Sequence, residues 1–160
     1  MIVVSDTTPI SELVKVGRLS LLRDIFEELI IPNEVHDELT AGNHPAVTVI
    51  QSINWIKVCS VGDKKKVSDL HTTTKLGWGE CAAFILAEEL GADRLLMDDR
   101  AARREAKDRN LPIIGTVGIL LLAKQRGLLI NVKEVLDELI VQGTRINPRL
   151  YKDAIALAGE

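Results

Sequence analysis

Two adjacent carboxylates, Asp98-Asp99, end a short apolar run, Leu95-Leu96-Met97, and open a run rich in arginine. In an open parallel sheet, ligands bind beyond the carboxyl ends of the strands. An acid in that place is set to hold a metal or to move a proton. It equally suits the N-cap of a following helix, where Asp is favoured. A second apolar run, Ile2-Val3-Val4-Ser5, ends the same way in Asp6. Central, parallel placement of both runs would crowd three acids on one sheet edge. Glu80 follows Gly77-Trp78-Gly79 at a helix start, near the positive end of the helix dipole. A first-turn dipole partner is its simpler role. Glu38 sits beside the apolar stripe of Val35 and Leu39, where a solvated position is the plainer reading.

Crowded carboxylates constrain the chemistry. Two of them about 4 Å apart repel by roughly 4 kcal/mol at an effective dielectric of about 20. Four together must protonate, spread apart or hold cations. His36, His44 and His71 lack metal-ligand spacing, and Cys59 and Cys81 form no C-x-x-C pair. The donors are therefore oxygens, which favours Mg²⁺ or Mn²⁺ over Zn²⁺. Mg²⁺ held by few carboxylates keeps waters and reaches for phosphate. The expected chemistry is phosphodiester hydrolysis, in which metal activates water and stabilises the leaving oxygen. Other α/β phosphate enzymes fit poorly. A haloacid-dehalogenase-like phosphatase needs Asp-x-Asp after the first strand, where position 8 is Thr. A response-regulator receiver needs its acidic pair early in the chain. The P-loop pattern G-x-x-x-x-G-K-[ST] is absent.

The elements that must position these acids alternate between strand and helix. Strands are expected at 2–5, 29–31, 55–58, 95–97 and 111–114. Helices are expected after Thr7-Thr8-Pro9, over 19–26, from Pro32, over 45–53, 80–90 and 99–109, from Thr116 to about Arg126, and over 131–142 and 148–158. Residues 60–76 are polar and read as a loop with one short helix. The alternation predicts an α/β fold built on a mainly parallel sheet, with one domain over 1–160. Hydrophobic residues make up 46% and aromatics only 3%, so the core must be aliphatic. The net charge of −3 means that any nucleic-acid surface must be a local basic patch. No long apolar run spans a membrane and no signal-peptide pattern opens the chain. With no disulfide framework, a cytoplasmic setting is expected.

In order and spacing, these segments resemble the PIN-domain family, the nuclease domain of VapC-type toxins. Asp6-Thr7-Thr8-Pro9-Ile10 resembles its opening strand-end Asp followed by a hydroxyl residue. Pro32-Asn33-Glu34-Val35-His36-Asp37-Glu38-Leu39 resembles its P-x-x-V-x-x-E-L helix. Gly77-Trp78-Gly79-Glu80-Cys81-Ala82-Ala83 resembles its G-x-G-E-A segment. Leu96-Met97-Asp98-Asp99-Arg100-Ala101-Ala102-Arg103 resembles its D-D-x-x-A-R stretch. Gly115-Thr116-Val117-Gly118-Ile119-Leu120 resembles a G-T-x-G-x-L segment of one uncharacterised PIN-like branch.

The resemblance covers nearly the whole chain. It implies a three-layer α/β/α fold and a Mg²⁺- or Mn²⁺-dependent ribonuclease. It further implies a homodimer and, for a toxin, a small antitoxin partner. Asp6, Glu38, Glu80 and Asp99 take the catalytic positions, and Asp6, Glu80, Asp98 and Asp99 the metal. Many PIN toxins place a single Asp after a Thr where this chain has two. Asp99 fits the shared position; Asp98 is an added ligand or a group that orients one. The double Asp also motivates an alternative, a PIN-like fold without activity that works as a binding module.

Supporting residues have two readings each. Thr7 suits a metal-bound water or a phosphate, and Thr8 a helix cap. Thr116 reads first as a helix cap and second as a contact to a metal water. Arg100, Arg103, Arg104 and Lys107 form a stripe at i, i+3, i+4 and i+7 that could hold RNA phosphates or lie solvated beside Glu105 and Asp108. Lys64-Lys65-Lys66 is a second such patch. Trp78 could stack a base, though packing is the commoner use of one aromatic. Val132, Val135, Leu136, Leu139 and Ile140 read as core, with a dimer or antitoxin face as the alternative.

Overall fold

A computed structural model describes residues 1–44 and 46–160. The chain runs β1 (Val3–Ser5), α1 (Thr7–Lys15), α2 (Ser20–Phe26), β2 (Leu29–Ile31) and α3 (Asn33–Leu39). It continues through α4 (Val47–Ser52), β3 (Ile56–Val58), α5 (Lys64–Thr73), α6 (Trp78–Leu90) and β4 (Arg94–Leu96). It ends with α7 (Arg100–Asp108), β5 (Ile113–Ile114), α8 (Thr116–Gln125), α9 (Val132–Val141) and α10 (Pro148–Leu157). Among the described residues the strands form one sheet, ordered β3-β2-β1-β4-β5, with every pairing parallel. Helices cover both faces, giving three α/β/α layers, as an all-parallel sheet requires.

This order places the acids. The chain lays β1, β2 and β3 outward on one side, then crosses to set β4 and β5 on the other. The order in which strands are added therefore reverses between β1 and β4, where such folds form their ligand crevice. Val3, Val4 and Ser5 pair with Arg94, Leu95 and Leu96. The ladder continues one step, with the Asp6 N–H donating to the Leu96 carbonyl at 2.9 Å. Asp6 and Asp98 leave adjacent strands at the same end.

The core is aliphatic apart from two rings, Phe84 and Phe26, among the described residues. Leu95, Leu96 and Met97 fill it from beside the site, and Ile10, Leu13 and Leu22 fill it from α1 and α2. Helix α6 is buried almost all round, from Cys81 to Ala87. Its closing residue, Gly91, takes φ +59, which a side chain would strain. Val132, Val135, Leu136 and Leu139 are buried, whereas Ile140 is exposed. No helix among the described residues is long and apolar enough to cross a membrane.

Several boundaries differ from expectation. The fourth strand runs Arg94–Leu96, so Met97 lies between strand and acids. The helix expected to begin at Glu80 begins at Trp78. The helix expected over 45–53 spans Val47–Ser52, and Pro45 lies outside the described residues. The polar stretch 60–76 contains α5, ten residues long. Asp63 caps it by accepting the Lys66 N–H, and Val67 and Leu70 bury one narrow face against α6. Lys64-Lys65-Lys66 is therefore its first turn.

Candidate functional site

Asp6 is the centre of the acidic edge. It follows β1 directly and is 4% exposed. Burial pushes its carboxyl up from 3.8 to about 7. A backbone hydrogen bond at Thr7 opposes that rise, and the charges of Glu80, Glu38 and Asp98 add to it. Three further acids thus act on one buried carboxyl, although they come from α6, α3 and the end of β4.

Glu80 is in the first turn of α6. Burial raises its pKa, followed by the charge of Asp99; a backbone hydrogen bond at Gly77 opposes this and Glu38 adds to it. Its Oε2 is buried without a hydrogen-bond partner among the described residues. A buried acceptor left unmatched costs its desolvation, and a cation is one species that satisfies it.

Glu38 lies on α3 and accepts the Thr7 hydroxyl at 2.5 Å. Its carboxyl lies over Gly79, where a Cβ would come within 2.8 Å of the Glu38 Cδ. The Gly-x-Gly-Glu segment at the start of α6 therefore makes room for one acid and carries the next. Asp98 and Asp99 go separate ways. The Asp98 Oδ1 accepts the Thr116 backbone N–H at 2.7 Å, and Oδ2 accepts the Thr116 hydroxyl at 2.7 Å. Asp99 is exposed and caps α7, accepting the Ala102 N–H at 3.0 Å.

Thr116 does not cap α8 itself. Gly115 holds the N-cap position and has no side chain, so Asp98 supplies the acceptor from 18 residues earlier. Thr8 does not cap α1 either: Asp6 stands at that N-cap, with no side-chain cap bond. Trp78 is not packed inside. It is 50% exposed and stacked on His71, ring centroids 3.8 Å apart.

The acids fit a hard divalent cation in donor type and in charge. They are not drawn into a single shell: among the described residues, no three His, Cys, Asp or Glu side chains are gathered as a metal-holding group. Three of the carboxylates are engaged by local donors instead: Glu38 by Thr7, Asp98 by Thr116 and Asp99 by the Ala102 N–H.

The expected basic stripe on α7 divides. Arg100 and Arg103 line a groove of about 730 Å³ together with Asp98 and Thr116, and Arg104 and Lys107 do not. Arg103 crosses the bare Cα of Gly115: a Cβ there would lie 2.5 Å from Arg103 Nη2 and 2.7 Å from Asp98 Oδ1. Glu105, a candidate partner of the stripe, pairs with Arg109 instead, at 2.8 Å. The same groove includes Arg145 and Arg149, which no motif marked. Lys66 of the second patch lines a separate cavity of about 460 Å³ with Asp69, Glu88 and Glu89, away from the acids.

A family model described as a PIN domain, DUF3368, matches residues 2–160. The chain belongs to the PIN-domain family. No curated protein and no solved structure gave a match. PIN domains are in general nucleases, and the three-layer sheet of this PIN domain places its acids at the crevice that such a fold uses.

Proposed function

We propose that this PIN domain is a Mg²⁺- or Mn²⁺-dependent endoribonuclease acting as the toxin of a toxin–antitoxin pair. The observation that carries the reading is the buried Asp6, raised to about 7 and surrounded by the charges of Glu80, Glu38 and Asp98. Acids whose pKa values are raised by burial and by one another in a crevice cluster at functional sites. The unmatched Oε2 of Glu80 adds a second sign.

In this reading Asp6, Glu80, Asp98 and Asp99 hold the ion, and Glu38 joins Asp6, Glu80 and Asp99 in catalysis. Such an ion, when bound, supplies the charge that activates the attacking water and stabilises the leaving oxygen. Thr7 orients Glu38 through its hydroxyl and offers a contact to the substrate. Arg100 and Arg103 bind the phosphate backbone, and Thr116 fixes Asp98 while bordering the same groove. The protein works as one domain over 1–160, as a homodimer in the cytoplasm, restrained by a small antitoxin.

The test is cleavage of a mixed-sequence RNA with Mn²⁺ or Mg²⁺. EDTA and Asp6→Asn should each abolish it. Cleavage that survives both rejects the proposal. One observation favours a second reading, a binding module without activity: the carboxylates are already engaged by Thr7, Thr116 and Ala102. Calorimetry separates the two, because a module of that kind takes up no Mn²⁺.

A further inference from the structure

We infer that Trp78, braced by His71, stacks one base of the substrate strand and selects a purine beside the bond that is cut. The inference rests on the ribonuclease reading above and adds a base preference, set by a ring that neither the metal nor the catalytic set uses. Trp78 is 50% exposed, whereas Phe26 and Phe84 are buried and Trp55 and Tyr151 are half-buried. Packing is the usual reward of an aromatic ring, and a tryptophan kept out of the core is the kind found at binding surfaces.

The ring is held in place from one side. Its face lies on the His71 imidazole, with centroids 3.8 Å apart and planes 23° from parallel. His71 is in the last turn of α5, and its Nδ1–H donates to the Leu76 carbonyl at 2.9 Å, which fixes the imidazole plane. Leu76 is buried, so the brace is tied to the core. Gly77 and Gly79 flank the indole and have no side chain to cover its other face. Two rings stacked in advance lose little freedom when a third joins them.

Position decides which base the ring meets. Trp78 and Glu80 share the first turn of α6, with Cα atoms about 5–6 Å apart by helix geometry. Residues two apart point to different sides of a helix. A base on Trp78 therefore belongs to the nucleotide next to the reacting phosphate, not to the one held at the acids. Lys75, in the turn that joins α5 to α6, is exposed and forms no ion pair among the described residues. A nucleotide supplies both a π face for the indole and a phosphate for this cation. On such platforms stacking strength, rather than hydrogen bonding, sets the preference, and the two-ring purines offer the larger face.

The chain has two tryptophans, so Trp55→Phe leaves Trp78 as the sole one and its emission reports on this ring alone. In EDTA, oligoadenylate should quench that emission more strongly than oligouridylate of equal length. By anisotropy of the labelled oligomers, Trp78→Leu should bind oligoadenylate about tenfold more weakly, the scale of one stacked base, and oligouridylate with a smaller loss. Trp78→Phe should restore most of the affinity; His71→Phe should keep it and His71→Ala should lose part of it. With Mn²⁺, cuts in a mixed-sequence RNA should fall beside purines. Trp78→Leu should flatten that preference and raise KM more than it lowers kcat. Circular dichroism confirms that each variant is folded. Emission unchanged at saturating RNA, or full affinity in Trp78→Leu, overturns the stack and leaves the ring to a protein partner. Failure of Trp78→Phe to restore binding overturns it as well, and equal losses for the two oligomers overturn the purine preference. A protein that cleaves RNA without regard to Trp78 loses only the stack; one whose Trp78 is quenched by RNA yet cleaves nothing loses only the nuclease reading.

Discussion

Both oxygens of the Asp98 carboxylate are held by one residue, Thr116, through its N–H and its hydroxyl at 2.7 Å each. The neighbouring Asp99 caps a different helix, α7. The adjacent acids are therefore shared between two helix N-termini that both face the crevice, and capping and site-building coincide in the same pair. Asp98 is the more deeply engaged, since it satisfies two donors where Asp99 satisfies one.

That difference sets the first prediction. Asp98→Ala leaves the Thr116 donors without their acceptor and should destabilise the fold by about 2–3 kcal/mol. Asp99→Ala should cost nearer 1 kcal/mol, the usual effect of losing a cap. Urea unfolding of both variants checks the order; equal losses would mean that the Thr116 contacts contribute nothing beyond a cap.

Gly79 and Glu38 lead to a second prediction. A methyl group at Gly79 meets only the far end of the Glu38 side chain. That end can swing away, and alanine is preferred to glycine in a helix by about 1 kcal/mol. Gly79→Ala should therefore melt close to the unaltered protein while displacing Glu38 from Thr7 and lowering RNA cleavage at least about tenfold, the scale of one displaced catalytic group. Full cleavage in a stable Gly79→Ala protein would remove Glu38 from the catalytic set.

Asp6 gives a third. Its folded-state pKa, about 7, stands above its ordinary value of 3.8. The folded protein then holds this proton more tightly than the unfolded chain does. The resulting stability is complete below about pH 4 and is lost as pH rises through 7. In EDTA the protein should thus weaken between pH 5 and pH 8, by an amount on the order of a few kcal/mol. Asp6→Asn should remove most of this slope. Denaturant titrations at several pH values would expose the failure as a slope that persists in the variant.

The sequence carried the strands and the acids well because both are local signals. Apolar runs ending in Asp6 and Asp98 stay legible whatever packs on them, and the topology set them side by side. The polar stretch 60–76 carries one helix, as expected, but its bounds are not legible, because only Val67 and Leu70 of the ten residues of α5 are buried. The local candidate for capping α8 is Thr116, whereas the acceptor comes from Asp98, 18 residues away. Arg145 and Arg149 were invisible for the same reason: only the packing of α10 beside α8 and α9 brings them to the groove of Arg103. For Trp78 packing is the commoner reading of one aromatic, but its ring is half-exposed and lies on His71.

The last prediction joins the proton on Asp6 to the proposed ion. A ligand that binds only the folded state raises stability by mass action, about 2.7 kcal/mol at a hundredfold excess over its Kd. For a chain of this size that is a shift of roughly 5–10 °C in Tm. An ion on Asp6 needs the carboxylate, so below pH 7 it must displace a proton. Stabilisation by Mn²⁺ should therefore grow from pH 6 to pH 8, the range in which the apo protein is losing its own stability. Thermal melts with and without Mn²⁺ at both pH values, repeated on Asp6→Asn and Glu80→Gln, provide the check. The variants should respond little at either pH, and a shift independent of pH would place the ion away from Asp6.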